Sequence, residues 1–234
     1  MSLRLDELAK TIDQSLLDPA ATLSEVDRAC EDARSHHVAS VCVLPFCVPR
    51  AVELLRGCDV KVCTMVSYPF GADLTKGKIA AAESCIQAGA DELGVVMNTA
   101  ALRSGEFRYV RDELGALVRA VRVRSVNTGR GVVLLKVVLE CSALDDKLKR
   151  LACRIVEESG ADFVETSTGF GGLRGRAEDV ELLRDTLPES IGVKANGGIE
   201  TAADAEEMIA AGAGRIGTAH AARILSDFAH ARRP

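Results

Sequence analysis

The chain has 234 residues, 47% of them hydrophobic, so it can bury roughly three quarters of its unfolded surface in one core, and a single domain over 1–234 is expected. A formal net charge of −5 leaves no broad positive field, which argues against nucleic acid or an anionic membrane as partner. The opening segment MSLRLDELAK lacks both the apolar run and the cleavage site of a secretion signal. No later stretch stays uncharged for the ~18 residues of a membrane span, so a cytoplasmic location is expected.

Taken in chain order, β-rich runs at 12–17, 39–44, 60–67, 92–98, 132–140, 163–167, 192–195 and 215–217 predict eight strands. Stretches of helical period at 23–36, 73–88, 109–124, 145–159, 177–186 and 202–211 lie between them. Gly89, Gly160 and Gly212 each close a helical stretch just before a strand, as left-handed C-terminal glycines do. The run VVLLKVVLE is apolar on both faces, which suits a parallel strand covered on both sides. Eight strand-helix units in this length predict an α/β chain folded as a (β/α)8 TIM barrel, with a doubly wound sheet as the alternative. Cys42, Cys47, Cys58, Cys63, Cys85, Cys141 and Cys153 fall mostly in apolar runs without a C-x-x-C pair, so they are expected to be reduced and buried. No metal site and no cofactor are expected, because the histidines and cysteines do not cluster at ligand spacing.

In such a barrel the chemistry gathers at the C-terminal ends of the strands. Asp13, Lys136, Glu140, Glu165 and Lys194 are charged groups inside predicted strands. One lysine in a strand can lie along the surface, but Lys136, Glu165 and Lys194 fall on three neighbouring strands. Facing inward they would meet in the lumen and be forced to pair, which marks a candidate site. The turns STGFGG (167–172), NGG (196–198) and GRIGT (214–218) follow the last three strands, where backbone N–H groups can hold a phosphate; the plain alternative is tight-turn glycine.

These segments resemble deoxyribose-phosphate aldolases over nearly the whole chain. The resemblance is carried by TIDQSLLDP, ASVCVLP, VKVCTMVSYPFGA, GADELGVVMN, ALRSGE, LLKVVLE, GADFVETSTGF, GVKANGGIET and AGAGRIG. It implies a barrel enzyme of the lyase class, a small-molecule substrate and a homodimer as partner. In that family the sixth strand typically reads F-V-K-T-S-T-G-F, and its lysine forms the Schiff base; Glu165 stands there in this chain. Gly94 stands where an aspartate assists proton transfer, and Gln14, Leu44, Tyr68 and Asn196 also depart from the pattern.

The resemblance carries active-site roles onto Lys194, Lys136, Asp13 and Cys42, and substrate contacts onto Thr166 and Ser167; Asn98 and Glu140, in the fourth and fifth predicted strands, are further candidate substrate contacts. Asn196 and His220 stand at altered substrate-binding positions. Phosphate contacts are implied for Gly169, Gly171, Gly172, Gly197, Gly198 and Gly217, although His220 lies where a phosphate-binding serine is expected.

A carboxylate cannot form an imine. The expected function is therefore non-covalent acid/base chemistry of a lyase, isomerase or dehydratase on a small sugar or hydroxy-carbonyl compound, phosphorylated or not. Glu165 would move the proton and Lys194 and Lys136 would steady developing negative charge. Ordinary deoxyribose-5-phosphate aldolase activity is expected to be absent or trace. Two alternatives stay open: a relocated Schiff-base lysine at Lys194 or Lys136, and a catalytically inactive ligand-binding relative. His36, His37 and His230 are expected at the surface, and the basic end HARRP as a frayed terminus.

Overall fold

A computed structural model describes residues 3–129, 131–172 and 174–232. Eight parallel strands hydrogen-bond in chain order and close into a barrel. They are β1 (Ile12–Leu16), β2 (Ser40–Val43), β3 (Lys61–Val66), β4 (Glu92–Val96), β5 (Leu134–Val138), β6 (Phe163–Glu165), β7 (Gly192–Asn196) and β8 (Arg215–Thr218). The barrel is thus the predicted one, with each strand trimmed or extended by a few residues.

The helices are α1 (Leu5–Ala9), α2 (Leu23–His36), α3 (Val48–Leu54), α4 (Thr75–Ala88), α5 (Thr99–Arg103), α6 (Phe107–Thr128), α7 (Asp146–Ser159), α8 (Ala177–Thr186), α9 (Ala202–Ala210) and α10 (Ala221–Ala231). Of these, α1, α3, α5 and α10 were not expected. The first three are too short to show a clear period, and Pro45 and Pro49 blur the start of α3. In α10, Ala221, Ile224, Leu225 and Phe228 repeat at helical spacing and are buried, so its signal was present in the sequence. The terminus is also less frayed than expected. His230 and Ala231 complete α10, and Arg232 lies over the Phe228 ring at 3.9 Å while bonding Glu206 and the Leu3 carbonyl. Residues 233–234 fall outside the described ones.

Strand alternation divides the interior in two. Outward residues such as Val41, Val62, Leu93, Leu135, Val164, Val193 and Ile216 join the helices in the main core. Inward on the β2 to β5 side, Cys42, Cys63, Met65, Val96 and Val138 form a separate apolar cluster, with Leu17 and Tyr68 packed against it. All eight cysteines are free thiols, and Cys58 alone is only half buried. The opposite half of the lumen is polar.

Candidate active site

The inward positions of β1, β4, β5, β6, β7 and β8 place three carboxyls and three cations in one buried layer. Lys136 Nζ lies 2.6 Å from Asp13 Oδ2 and 2.6 Å from Glu92 Oε2. Lys194 Nζ lies 3.0 Å from Asp13 Oδ2 and 3.2 Å from Glu165 Oε1. Arg215 bonds Asp13 and reaches Glu92 at 3.1 Å, and Ser40 donates to Asp13 at 2.7 Å. Asp13, Lys136, Glu165 and Lys194 are each at most 1% exposed, so every charge must find its partner inside the protein.

Burial alone would push the Asp13 carboxyl up, but Lys136, Lys194 and Arg215 outweigh it and hold that group well below the usual carboxylate range. Burial would likewise lower Lys194; Glu165 and Asp13 reverse this and raise it well above an ordinary lysine. Lys136 is raised too, against its own desolvation, chiefly by Asp13. Both ammonium groups are therefore firmly protonated.

Sequence reasoning grouped Lys136 with Glu165 and Lys194, and here the grouping needs correction. Lys194 does meet Glu165, since their Cα atoms are register partners on β7 and β6. Lys136 instead binds Asp13 and Glu92, and none of Asp13, Lys136, Glu165 and Lys194 lines the pocket above, which reaches this layer through Asn196. Glu92, Arg215 and Ser40 were missed. Glu92 and Arg215 open their strands, where a charge resembles an ordinary surface residue. Their parity gives them away, since each lies two residues before an inward glycine, Gly94 or Gly217.

Above this floor opens a pocket of about 470 Å³ at the C-terminal ends of the strands. Its lining includes Leu17, Tyr68, Phe170, Asn196, Ile199 and His220, with Asp18 and Glu200 at the rim. Asn196 is the link between the two levels. Its Nδ2 donates to Glu165 Oε1 at 2.8 Å and to the Ser167 carbonyl at 3.0 Å, while its Oδ1 accepts from Gly197 N–H. Gly217 makes room for this: a Cβ there would stand 2.5 Å from Asn196 Oδ1 and 3.1 Å from Lys194 Cε. Glu165 Oε2 is buried and, among the described residues, has no hydrogen-bond partner. An orphaned carboxyl oxygen beneath a pocket is a costly feature unless a ligand or an ordered water supplies the donor.

The other expected site residues separate into those at the pocket and those that build its walls. Gly169, Gly171, Gly197, Gly198 and Gly217 line it with Asn196 and His220, whereas Gly172 does not. Glu140 accepts from Ser167 Oγ at 2.9 Å and from Thr168 N–H and Oγ at 3.1 and 2.6 Å, so it clamps the turn after β6. Thr166 Oγ1 accepts from Asn196 N–H at 3.1 Å and ties β6 to β7. Asn98 is taken up by capping α5, accepting from Ala101 N–H at 3.0 Å. Cys42 is buried in the apolar cluster, away from the pocket. Where the family pattern has an aspartate, a Cβ on Gly94 would stand 2.5 Å from Met65 Sδ, so the thioether occupies that side chain's space.

The surface positions expected for the remaining histidines hold for His37 and His230, and His36 is partly exposed. No helix among the described residues is long and apolar enough to cross a membrane.

The closed parallel barrel, with a pocket at the C-terminal ends of its strands above buried lysine–carboxylate pairs, has the layout of a (β/α)8-barrel enzyme. The sequence model of the DeoC/LacD family aldolases matches residues 8–223, and the chain belongs to that family. It is 44% identical over 224 residues to a deoxyribose-phosphate aldolase of Caldanaerobacter subterraneus subsp. tengcongensis, covering 96% of this chain and 94% of the relative. The solved structure of the aldolase QR15 superposes with a TM-score of 0.87 at 32% identity, covering 95% of this chain and 96% of that one. The tetrameric deoxyribose phosphate aldolase from Aeropyrum pernix gives 0.87 at 30% identity, over 97% and 92% of the two chains.

Proposed function

We propose that this chain is an aldolase-family lyase that cleaves or forms a bond next to a carbonyl by acid/base chemistry, without a Schiff base. Glu165 transfers the proton and Lys194 supplies the stabilising positive charge. The reading rests on one observation: the unpartnered, buried Oε2 of Glu165, held in place by Asn196 and Lys194 through Oε1. In cleavage of a β-hydroxy carbonyl compound, Oε2 takes the hydroxyl proton as the carbon–carbon bond breaks and the hydroxyl carbon becomes an aldehyde. The electron pair passes to the carbonyl fragment as an enolate, which Lys194 steadies with its remaining N–H. Glu165 then returns the proton to the enolate carbon, so acid and base are restored. Lys136 and Asp13 act as positioning residues that fix Lys194 from below.

The raised proton affinity of Lys194 favours this over imine chemistry, which requires a neutral amine. The glycine turns would hold the end of the substrate remote from the carbonyl. Deoxyribose-5-phosphate cleavage is proposed to be absent or trace, and a homodimer in the cytoplasm remains the proposed working state.

The test is Glu165→Gln. The amide can still accept through oxygen from Asn196 and Lys194, so shape is kept while proton transfer is lost. Turnover of hydroxy-carbonyl compounds, followed by NMR of the products, is expected to fall roughly 10²- to 10⁴-fold. Full turnover in the variant, or a borohydride-trapped adduct on Lys194 of the unaltered protein, would exclude this reading.

A further inference from the structure

The charge around the pocket bears on which substrate enters it, an inference that rests on the acid/base reading above. Asp18 and Glu200 stand exposed at the rim, and His220 is the remaining ionisable side chain of the lining apart from Tyr68. Among the described residues the lining holds no lysine or arginine. The floor beneath offers no surplus cation either, because Lys136, Lys194 and Arg215 are matched by Asp13, Glu92 and Glu165. Glu140 adds a further carboxyl beside the pocket, answered by the hydroxyls of Ser142, Ser167 and Thr168 and one backbone N–H rather than by a cation. The guanidinium that approaches this wall, Arg174, lies across Gly198 within electrostatic reach of Asp204 at the start of α9.

A phosphate dianion in such a pocket would face carboxylates without a matched cation on the lining. Backbone N–H groups of the glycine turns offset part of that repulsion but carry no full charge. A cation meets the opposite balance: carboxylates at the rim, and the rings of Tyr68 and Phe170, which stand edge to face at 6.2 Å. The apolar side chains of Leu17 and Ile199 suit a carbon skeleton between the two ends.

We propose that the substrate is an unphosphorylated hydroxy-carbonyl compound carrying a protonated amine, with the amine at Asp18 and Glu200 and the hydroxyl at the orphaned Oε2 of Glu165. Three probes on one carbon skeleton separate the charges: aminopropanediol, glycerol and glycerol phosphate. Each is titrated into the intact protein by ligand-observed NMR at low, fixed ionic strength, where exposed charges act most strongly. Aminopropanediol is expected to bind roughly tenfold more tightly than glycerol phosphate, with glycerol between them. Glu200→Arg is expected to invert that order. Asp18→Asn, which disturbs no helix start, is expected to shrink the preference in the same direction.

Binding of glycerol phosphate as tight as that of aminopropanediol, or no preference among the three, overturns the proposal. An order left unchanged by Glu200→Arg and Asp18→Asn also overturns it. Because the measurement reads binding alone, its failure leaves the role of Glu165 standing. Conversely, a turnover-neutral Glu165→Gln removes the acid/base reading without touching the charge preference.

Discussion

Glu165→Lys puts the central electrostatic argument to its hardest test. In the native protein Glu165 Oε1 lies 3.2 Å from Lys194 Nζ, and the layer holds three carboxyls against three cations. The substitution changes that balance by two charges and sets an amine beside an amine. Two like charges about 4 Å apart repel by about 4 kcal/mol at an effective dielectric constant of about 20. The repulsion opposes the hold that Asp13 keeps on Lys194 and lowers the proton affinity of the pair, so its first proton leaves more easily than in the native protein. A neutral amine is then reached at lower pH than in the native protein. Incubation with a short aldehyde and cyanoborohydride across pH 6 to 10, followed by intact mass and peptide mapping, reads this directly. The variant is expected to gain one adduct within the altered pair, with yield rising as pH rises across that range, while the native protein gains none at Lys194. Equal modification of Lys194 in both proteins would refute the claim that Glu165 holds that lysine charged.

Gly217→Ala would drive a methyl into Asn196 Oδ1 and Lys194 Cε, so a loss of about 1–3 kcal/mol in denaturant unfolding and a larger loss of turnover are expected. Gly94→Asp is expected to be strongly destabilising alone, because Met65 fills the space, and to recover part of the loss when combined with Met65→Ala. Thermal melts of the single and double variants check this; purely additive losses would contradict it.

The pH profile of stability follows from two shifts of opposite sign. Asp13 is depressed, so its contribution is complete above about pH 4 and fades as pH falls toward its folded value. Lys194 is raised, so its contribution is complete below about pH 10.4 and fades as pH rises toward its folded value. Melting temperature is expected to fall beyond both limits, and Asp13→Asn to flatten the acid side; an unchanged acid side in that variant contradicts the assignment.

Much of the barrel was legible because periodicity is a local property. Helices α2 and α8 were bounded from spacing alone, and the strands from their β-rich runs. The short helices after β2 and β4 gave no such signal, since α5 has five residues and its start depends on Asn98 folding back onto Ala101. Asn98 and Cys42 were expected at the substrate because they stand in motif segments. Motif position alone could not show that one caps a helix and the other packs against Cys63 and Met65.

The order of residues by itself settled the alternation of strand and helix, the family, and the presence of a carboxylate at position 165. These are matters of periodicity and side-chain chemistry, and both travel with the chain. Closure of the barrel decided the rest, because pairing β8 with β1 brings Arg215 onto Asp13 across 202 positions of sequence. Only then does Lys136 turn to Glu92 and away from Glu165, and only then does one carboxyl oxygen lie buried without a donor. Charges removed from water pair with whatever is closest in space, and spatial neighbours on different strands are fixed by tertiary packing.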